Sequence, residues 1–472
     1  MQKAKSNVPA LGDKLSVGTL FPIQLPLKDE KYLDFLKNEH PDQYERLWAI
    51  RKDILKVTGV QHLGELDRRS RDPEFVEEVN ERILLTRKAL GENLPIEARQ
   101  REAMKFAKLF DRIKRDLVSR FAPGYTKTLG TRNEVIATHN WGKLLLMAFD
   151  TDRNDKVRYE SKLKLVMAEH FSRVEQKLRA RKDNLEFLAD LMDDRIFDPN
   201  GEKLGGTKTQ WLVTQHDLAD DNRCIGFEFM ETPPTQLAEN ELVEQIDFRT
   251  MVIPQPDGSK RVIDFMIDIG EKDDESVNLK SIRHPDRDLD ELLRDLSRGR
   301  LLFKSKEDSE AVIGEMIRRI REPDSRTGVG HEVSVEKEKD KVGGDGGKPT
   351  IPCYKFNMVI DGRDYEFQSF LPREYRDYFI WKKAAWCKHE VDRFFDNGLL
   401  EVIWPKEHYP GLDRRQLAKE AFDREYEREW ASRRILPDVR SDSETENESL
   451  PRPLNGSGHS VGMPKALAAS AS

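Results

Sequence analysis

The run Asp295-Leu296-Ser297-Arg298-Gly299-Arg300-Leu301-Leu302-Phe303 sets one carboxylate and two guanidinium groups at the mouth of an apolar strand. A second carboxylate, Glu366, stands in the β-type run Tyr365-Glu366-Phe367-Gln368. If these two strands are neighbours, Asp295 and Glu366 can share a divalent cation. Mg²⁺ takes hard oxygen ligands and is usually held by one or two carboxylates together with substrate phosphates. Lys280, Arg298 and Arg300 would then neutralise a polyphosphate through charge-assisted hydrogen bonds. The competing reading of the same residues is an ion pair at the ends of two ordinary strands, which contributes little when exposed.

Two further patterns carry less. His216-Asp217 joins two side chains that can hold a metal. The residues that follow, Leu218-Ala219-Asp220-Asp221-Asn222, read as a capped turn. Asp264 and Asp268 lie four apart, on one face of a strand. Their bland reading is an alternating edge strand. No Walker loop, Gly-x-Ser-x-Gly, His-Glu-x-x-His or Gly-x-Gly-x-x-Gly occurs, so those chemistries lose support.

The elements that must position these groups follow from periodicity. The first ~120 residues repeat apolar positions at helical spacing, as in Phe75, Val79, Ile83 and Leu84. Pro95 leads into a helix over Ile96–Phe121, and a second long helical pattern spans Tyr159–Ile196. From Leu242 the texture becomes β-type. Leu242–Ile253 and Arg261–Ile269 flank a Pro/Asp/Gly turn as a hairpin, and Tyr354–Ile360 with Tyr365–Phe370 forms another across Asp361-Gly362. Glu307–Ile320 is an amphipathic helix whose Val312, Ile313 and Met316 face a sheet containing Gly299–Phe303. Arg373–Phe395 reads as one aromatic, basic helix with Tyr375, Tyr378 and Phe379 as core. The expected fold class is α+β: a helical N-terminal half, a mostly antiparallel mixed α+β domain and a disordered C-terminal tail. The expected domains are 1–122 (helical), 123–240 (helical or mixed) and 241–436 (α+β), with a disordered insert at 324–349 and the tail at 437–472.

The run from Asp288 through Met316, with the Tyr365-Glu366-Phe367-Gln368 strand and the helix after it, resembles the RelA/SpoT-like (alarmone synthetase-type) nucleotidyltransferase domain over residues ~280–395. The resemblance implies a Mg²⁺-dependent pyrophosphotransferase acting between ATP and a guanosine nucleotide. Asp295 and Glu366 would be the catalytic, metal-holding carboxylates. Lys280, Arg298 and Arg300 would contact substrate phosphates, and Tyr354 would stack on a base. His216-Asp217 likewise resembles the His-Asp element of alarmone hydrolases.

Composition bounds the alternatives. Across 472 residues, 80 Lys+Arg against 87 Asp+Glu give a net charge of −7, which argues against a basic nucleic-acid coat. Charged residues cluster locally, however. Basic stripes on 96–121 and 159–196 offer a protein or nucleic-acid partner a surface, which is the non-enzymatic alternative. The three cysteines, Cys224, Cys353 and Cys387, lie far apart without zinc-ligand spacing, so reduced thiols are expected. The longest apolar runs fall far short of the ~20 residues a membrane span needs. A cytoplasmic protein that does not enter a membrane is the expectation.

Overall fold

The helical periodicity of the N-terminal half and the alternation that begins near residue 208 build different structures in the computed structural model. It describes residues 30–434 apart from 92, 151, 182, 198–206, 273, 284–287, 324–327, 341–352, 384 and 396–398. The chain divides into two units that take turns along the sequence. One holds residues 30–180, 278–292 and 391–421, and the other 181–277, 293–390 and 422–434. Later segments of the chain return to each unit. No helix among the described residues is long and apolar enough to cross a membrane.

The first unit is helical. Its N-terminal part comprises α1 (Glu30–Glu39), α2 (Pro41–Thr58), α3 (Gly64–Arg69), α4 (Pro73–Thr86) and α5 (Ile96–Phe121); α6 (Trp141–Phe149) and α7 (Asp155–Arg179) follow. Asp72 caps α4 by accepting from the Glu74 amide at 3.1 Å, and Pro73 fills the first helical position. α7 buries Leu163, Val166, Met167, Phe171 and Val174. Gly142 lets α6 cross α4 closely, since a Cβ there would fall 2.5 Å from the Asn80 backbone nitrogen. Several polar groups in this core are paired: Lys164 donates to Asp111 at 2.6 Å, and Glu160 accepts from Lys114 at 3.3 Å and from Tyr409 at 2.7 Å.

The second unit starts with α8 (Asp183–Met192) and is organised around one sheet. Its strands are β1 (Lys208–Asp217), β2 (Arg223–Met230), β3 (Glu241–Pro254), β4 (Lys260–Glu271), β5 (Ser297–Leu302), β6 (Val333–Asp340), β7 (Tyr354–Ile360) and β8 (Arg363–Phe370). They lie in the order β2-β1-β3-β4-β5-β8-β7-β6. β5 and β8 are parallel, and the other pairs are antiparallel. Both expected hairpins form. β7 turns into β8 through Asp361 and Gly362 at φ 49° and 76°, the two left-handed residues a tight hairpin needs.

The helix α9 (Lys306–Arg321) is capped by Ser305, which accepts from the Asp308 amide. It buries Val312, Met316 and Ile320 against Phe265, Leu301, Phe303, Phe356 and Phe367 on one face of the sheet, with Ile313 at the margin. On the other face α10 (Pro372–Ile380) and the end of α11 (Arg414–Ser432) pack on the sheet through Phe248, Leu302, Phe370, Tyr375 and Tyr378.

Three expectations need correction. Residues 333–340 of the expected disordered insert form the edge strand β6, paired with β7. Val333 and Val335 pack against the core of the second unit. The remaining residues of that insert, 324–327 and 341–349, and the tail 437–472 lie outside the described residues or, at 328–332, form a connecting loop. Arg373–Phe395 is two helices, Pro372–Ile380 and Trp386–Phe395. Between them the backbone leaves the helix so that the Lys382 amide bonds to the Asp221 carbonyl at 3.0 Å, while Lys383 reaches Asp220 at 2.9 Å. The stretch 123–240 also holds β1 and β2. Their alternation is masked because β1 buries Gln210, Thr214 and His216 along with Leu212.

Candidate functional site

Side-chain parity decides which of the candidate residues meet. In strands alternate residues share a face. Register places Arg298 opposite Glu366, and Arg300 opposite Gln368 on β8 and Asp268 on β4. On β7, Asn357 lies opposite Glu366 and Lys355 opposite Gln368. Asp268, Arg298, Arg300, Glu366, Gln368, Lys355 and Asn357 therefore share the sheet face on which α10 packs. Charged residues in the middle of an eight-stranded sheet break the apolar alternation found at the same positions nearer α10, where Met266, Leu302 and Phe370 are core.

The electrostatics of this cluster are those of a half-buried anion cradle. Glu366 is only 4% exposed; its carboxylate pairs with Lys355 and accepts from Gln368 Nε2 at 3.0 Å. Arg300 lies 3.9 Å from Asp268. Burial, and next the neighbouring Arg300, pull the Arg298 pKa below the usual arginine range; Asp268 and Glu366 act in the opposite sense. The cluster holds three cations, Arg298, Arg300 and Lys355, against two carboxylates, Asp268 and Glu366. Arg300 Nε and Gln368 Oε1 are buried with no hydrogen-bond partner among the described residues. A buried polar group left unpaired is costly, and such groups mark places where a ligand completes the bonding.

On the opposite face Gly299 has the Phe367 ring against it, and a Cβ at Gly299 would lie 2.5 Å from two ring carbons. The glycine between the two arginines thus leaves the space that the Phe367 ring fills.

The candidates read from the sequence are distributed as follows. Arg298, Arg300 and Glu366 come together. Asp295 is in the turn before β5, three residues short of the position opposite Glu366, with its carboxylate paired to Lys272. Tyr354 is opposite Ser369, an odd number of residues from Glu366, so it belongs to the other face, where it packs beside Phe356 with ring centroids 5.4 Å apart. Lys280 belongs to the first unit, and its ammonium donates to the Leu292 carbonyl at 2.6 Å. Lys355, Gln368 and Asn357 were missed, though polar residues alternating through two otherwise apolar strands were the available signal.

The His216-Asp217 pattern is taken up by the β1–β2 hairpin. The buried ring of His216 bonds to the Asn222 carbonyl and to Thr214 Oγ1, each at 2.9 Å. Burial, more than any other cause, lowers its pKa to about 4. Asp221 and Asn222 adopt left-handed conformations at the turn. Asp264 accepts from Thr250 at 2.8 Å. Among the described residues no group of three or more His, Cys, Asp or Glu side chains is placed to hold a metal. Comparisons with protein-family models, with curated proteins and with solved structures return no match to this chain.

Proposed function

We propose that the second unit binds the phosphates of a nucleoside triphosphate on the Arg298–Arg300–Glu366 face, and that the protein is a RelA/SpoT-like pyrophosphotransferase acting between ATP and a guanosine nucleotide. One observation carries this reading. The parallel β5–β8 pair puts two guanidinium groups opposite a buried carboxylate and its carboxamide neighbour, on the sheet face on which α10 packs. Arginine forks match phosphate oxygens in shape and charge. In a half-buried site they stabilise charge on a transferring phosphoryl group far better than in water. Arg298, Arg300 and Lys355 would bind and orient the polyphosphate.

The donor chemistry fits Mg²⁺. Carboxylate oxygens on Glu366 and Asp295 and the unpartnered Gln368 Oε1 are hard ligands, and each carboxylate is now balanced by one lysine. Glu366, with Gln368 Oε1 beside it, would hold the ion, which when bound supplies charge neutralisation at the phosphates; Asp295, paired to Lys272 in the turn before β5, lies outside that cluster. Three buried cysteines outside any disulfide, Cys224, Cys353 and Cys387, suit a reducing, cytoplasmic setting.

Binding calorimetry with ATP, GTP and GDP at millimolar Mg²⁺ tests the reading. Wild type should bind at least one of them. Glu366→Gln and Arg300→Gln should each weaken binding at least tenfold while far-UV circular dichroism stays unchanged. No heat with any nucleotide, or wild-type binding by both variants, would refute it.

A further inference from the structure

The two basic helices named by the sequence separate once their partners are visible. On α7, Lys177 is held by Asp290 at 2.6 Å and Arg179 by Glu175 at 3.2 Å, so the cations of its last turn are paired. On α5 the outcome is different. Arg101, Lys105, Lys108, Arg112 and Arg115 are all exposed, and they recur at spacings of four, three, four and three. At 3.6 residues per turn these spacings keep all five within a sector of about 80° and along about 21 Å of helix. The inward face of α5 is fixed by buried Phe106, Phe110, Ile113 and Leu117, so the stripe cannot roll toward the core.

The acidic residues among these positions do not neutralise the stripe. Glu102 is turned aside to Arg179 at 3.3 Å, and Asp111 to Lys164 at 2.6 Å. Lys105 shares Glu175 at 3.1 Å, and Arg115 is a loose 4.0 Å from Asp116. Arg101, Lys108 and Arg112 have no ion pair or hydrogen bond among the described residues. A local row of cations persists on a chain whose net charge is −7.

We infer that the outward face of α5 binds the phosphate ridge of a nucleic-acid duplex. One strand of a duplex carries a charge for about every 3.4 Å of duplex axis, so five cations along about 21 Å of helix meet a comparable density of phosphate charge. Stacking on single-stranded bases uses aromatic side chains, and the stripe contains none. Insertion into a lipid surface uses a broad apolar face, and Met104 is the one large apolar side chain exposed on α5. The contacts are to backbone, so RNA and DNA duplexes are both recognised and sequence is not read. The inference is independent of the nucleotide site, which belongs to the other unit.

Fluorescence anisotropy of the full chain with labelled RNA and DNA duplexes of about 20 bp tests it. Five neutralised phosphates give a slope near −4.5 in log K against log salt, or roughly a 500-fold loss of affinity from 50 to 200 mM salt. The triple variant Arg101→Gln, Lys108→Gln, Arg112→Gln should fall to a slope near −1.8, roughly a 12-fold loss over the same range. A control triple variant at exposed Lys406, Arg415 and Lys419, each to Gln, removes the same charge elsewhere and should keep the wild-type slope. The inference is overturned by no duplex binding at 50 mM salt, by equal losses in the two triple variants, or by anionic vesicles capturing the protein through these residues while duplexes do not.

Discussion

Gly299→Ala probes the link between the core and the charged face. The added methyl would lie 2.5 Å from Cδ1 and Cε1 of Phe367, well inside contact distance. Phe367 is fully buried and stacks on Phe356 with centroids 5.3 Å apart, so the ring has little room to retreat. Overpacking of this kind costs about 1–3 kcal/mol. Phe367→Leu alone should cost a similar amount, on the order of 1–3 kcal/mol, by loss of buried contacts. The double variant should cost less than the sum of the two, because leucine vacates the space the methyl needs. A favourable coupling of roughly 1 kcal/mol or more is expected. Urea unfolding of the four proteins measures it, with hydrogen exchange at β5 and β8 amides locating the change. A stability for Gly299→Ala within 0.5 kcal/mol of wild type, or strict additivity, would refute the close-approach argument. Since Arg298 and Arg300 flank Gly299, the single variant should also weaken nucleotide binding, and Phe367→Leu in the same chain should partly restore it.

Met316→Asp puts a charge in the fully buried contact between α9 and the sheet, and should cost several kcal/mol. A wild-type urea midpoint would contradict that packing. His216 gives a pH signature with a definite sign. Its folded pKa is about 4 against about 6.5 unfolded, so between these values the unfolded chain binds more protons and stability falls as pH falls. The loss reaches about 3 kcal/mol by linkage. His216→Gln should flatten the difference between stability at pH 7 and at pH 4. Asp377, raised to about 6 chiefly by burial, acts in the opposite sense below pH 6, but it is present in both proteins and cancels in the comparison. An unchanged pH profile in the variant would mean that the ring is not buried neutral.

The sequence by itself determined much of the local structure. Apolar spacing over Ile96–Phe121 marked a helix because one stripe must face the core. Asp361-Gly362 marked a hairpin because the turn requires two left-handed residues. Val312 and Met316 announced the buried side of α9 for the same reason as the helix stripe. These features depend on neighbours within a few turns of chain. The tertiary structure alone decided which strands lie side by side. Seventy-one residues separate Asp295 from Glu366, and only the register between β5 and β8 shows that Arg298, not Asp295, stands opposite Glu366. Parity then moved Tyr354 to the other face and brought in Lys355 and Gln368. The charge on α5 and α7 looked alike in one dimension. Asp290, which holds Lys177 of α7, distinguishes the two helices only in space, because an ion pair is fixed by distance and not by separation along the chain.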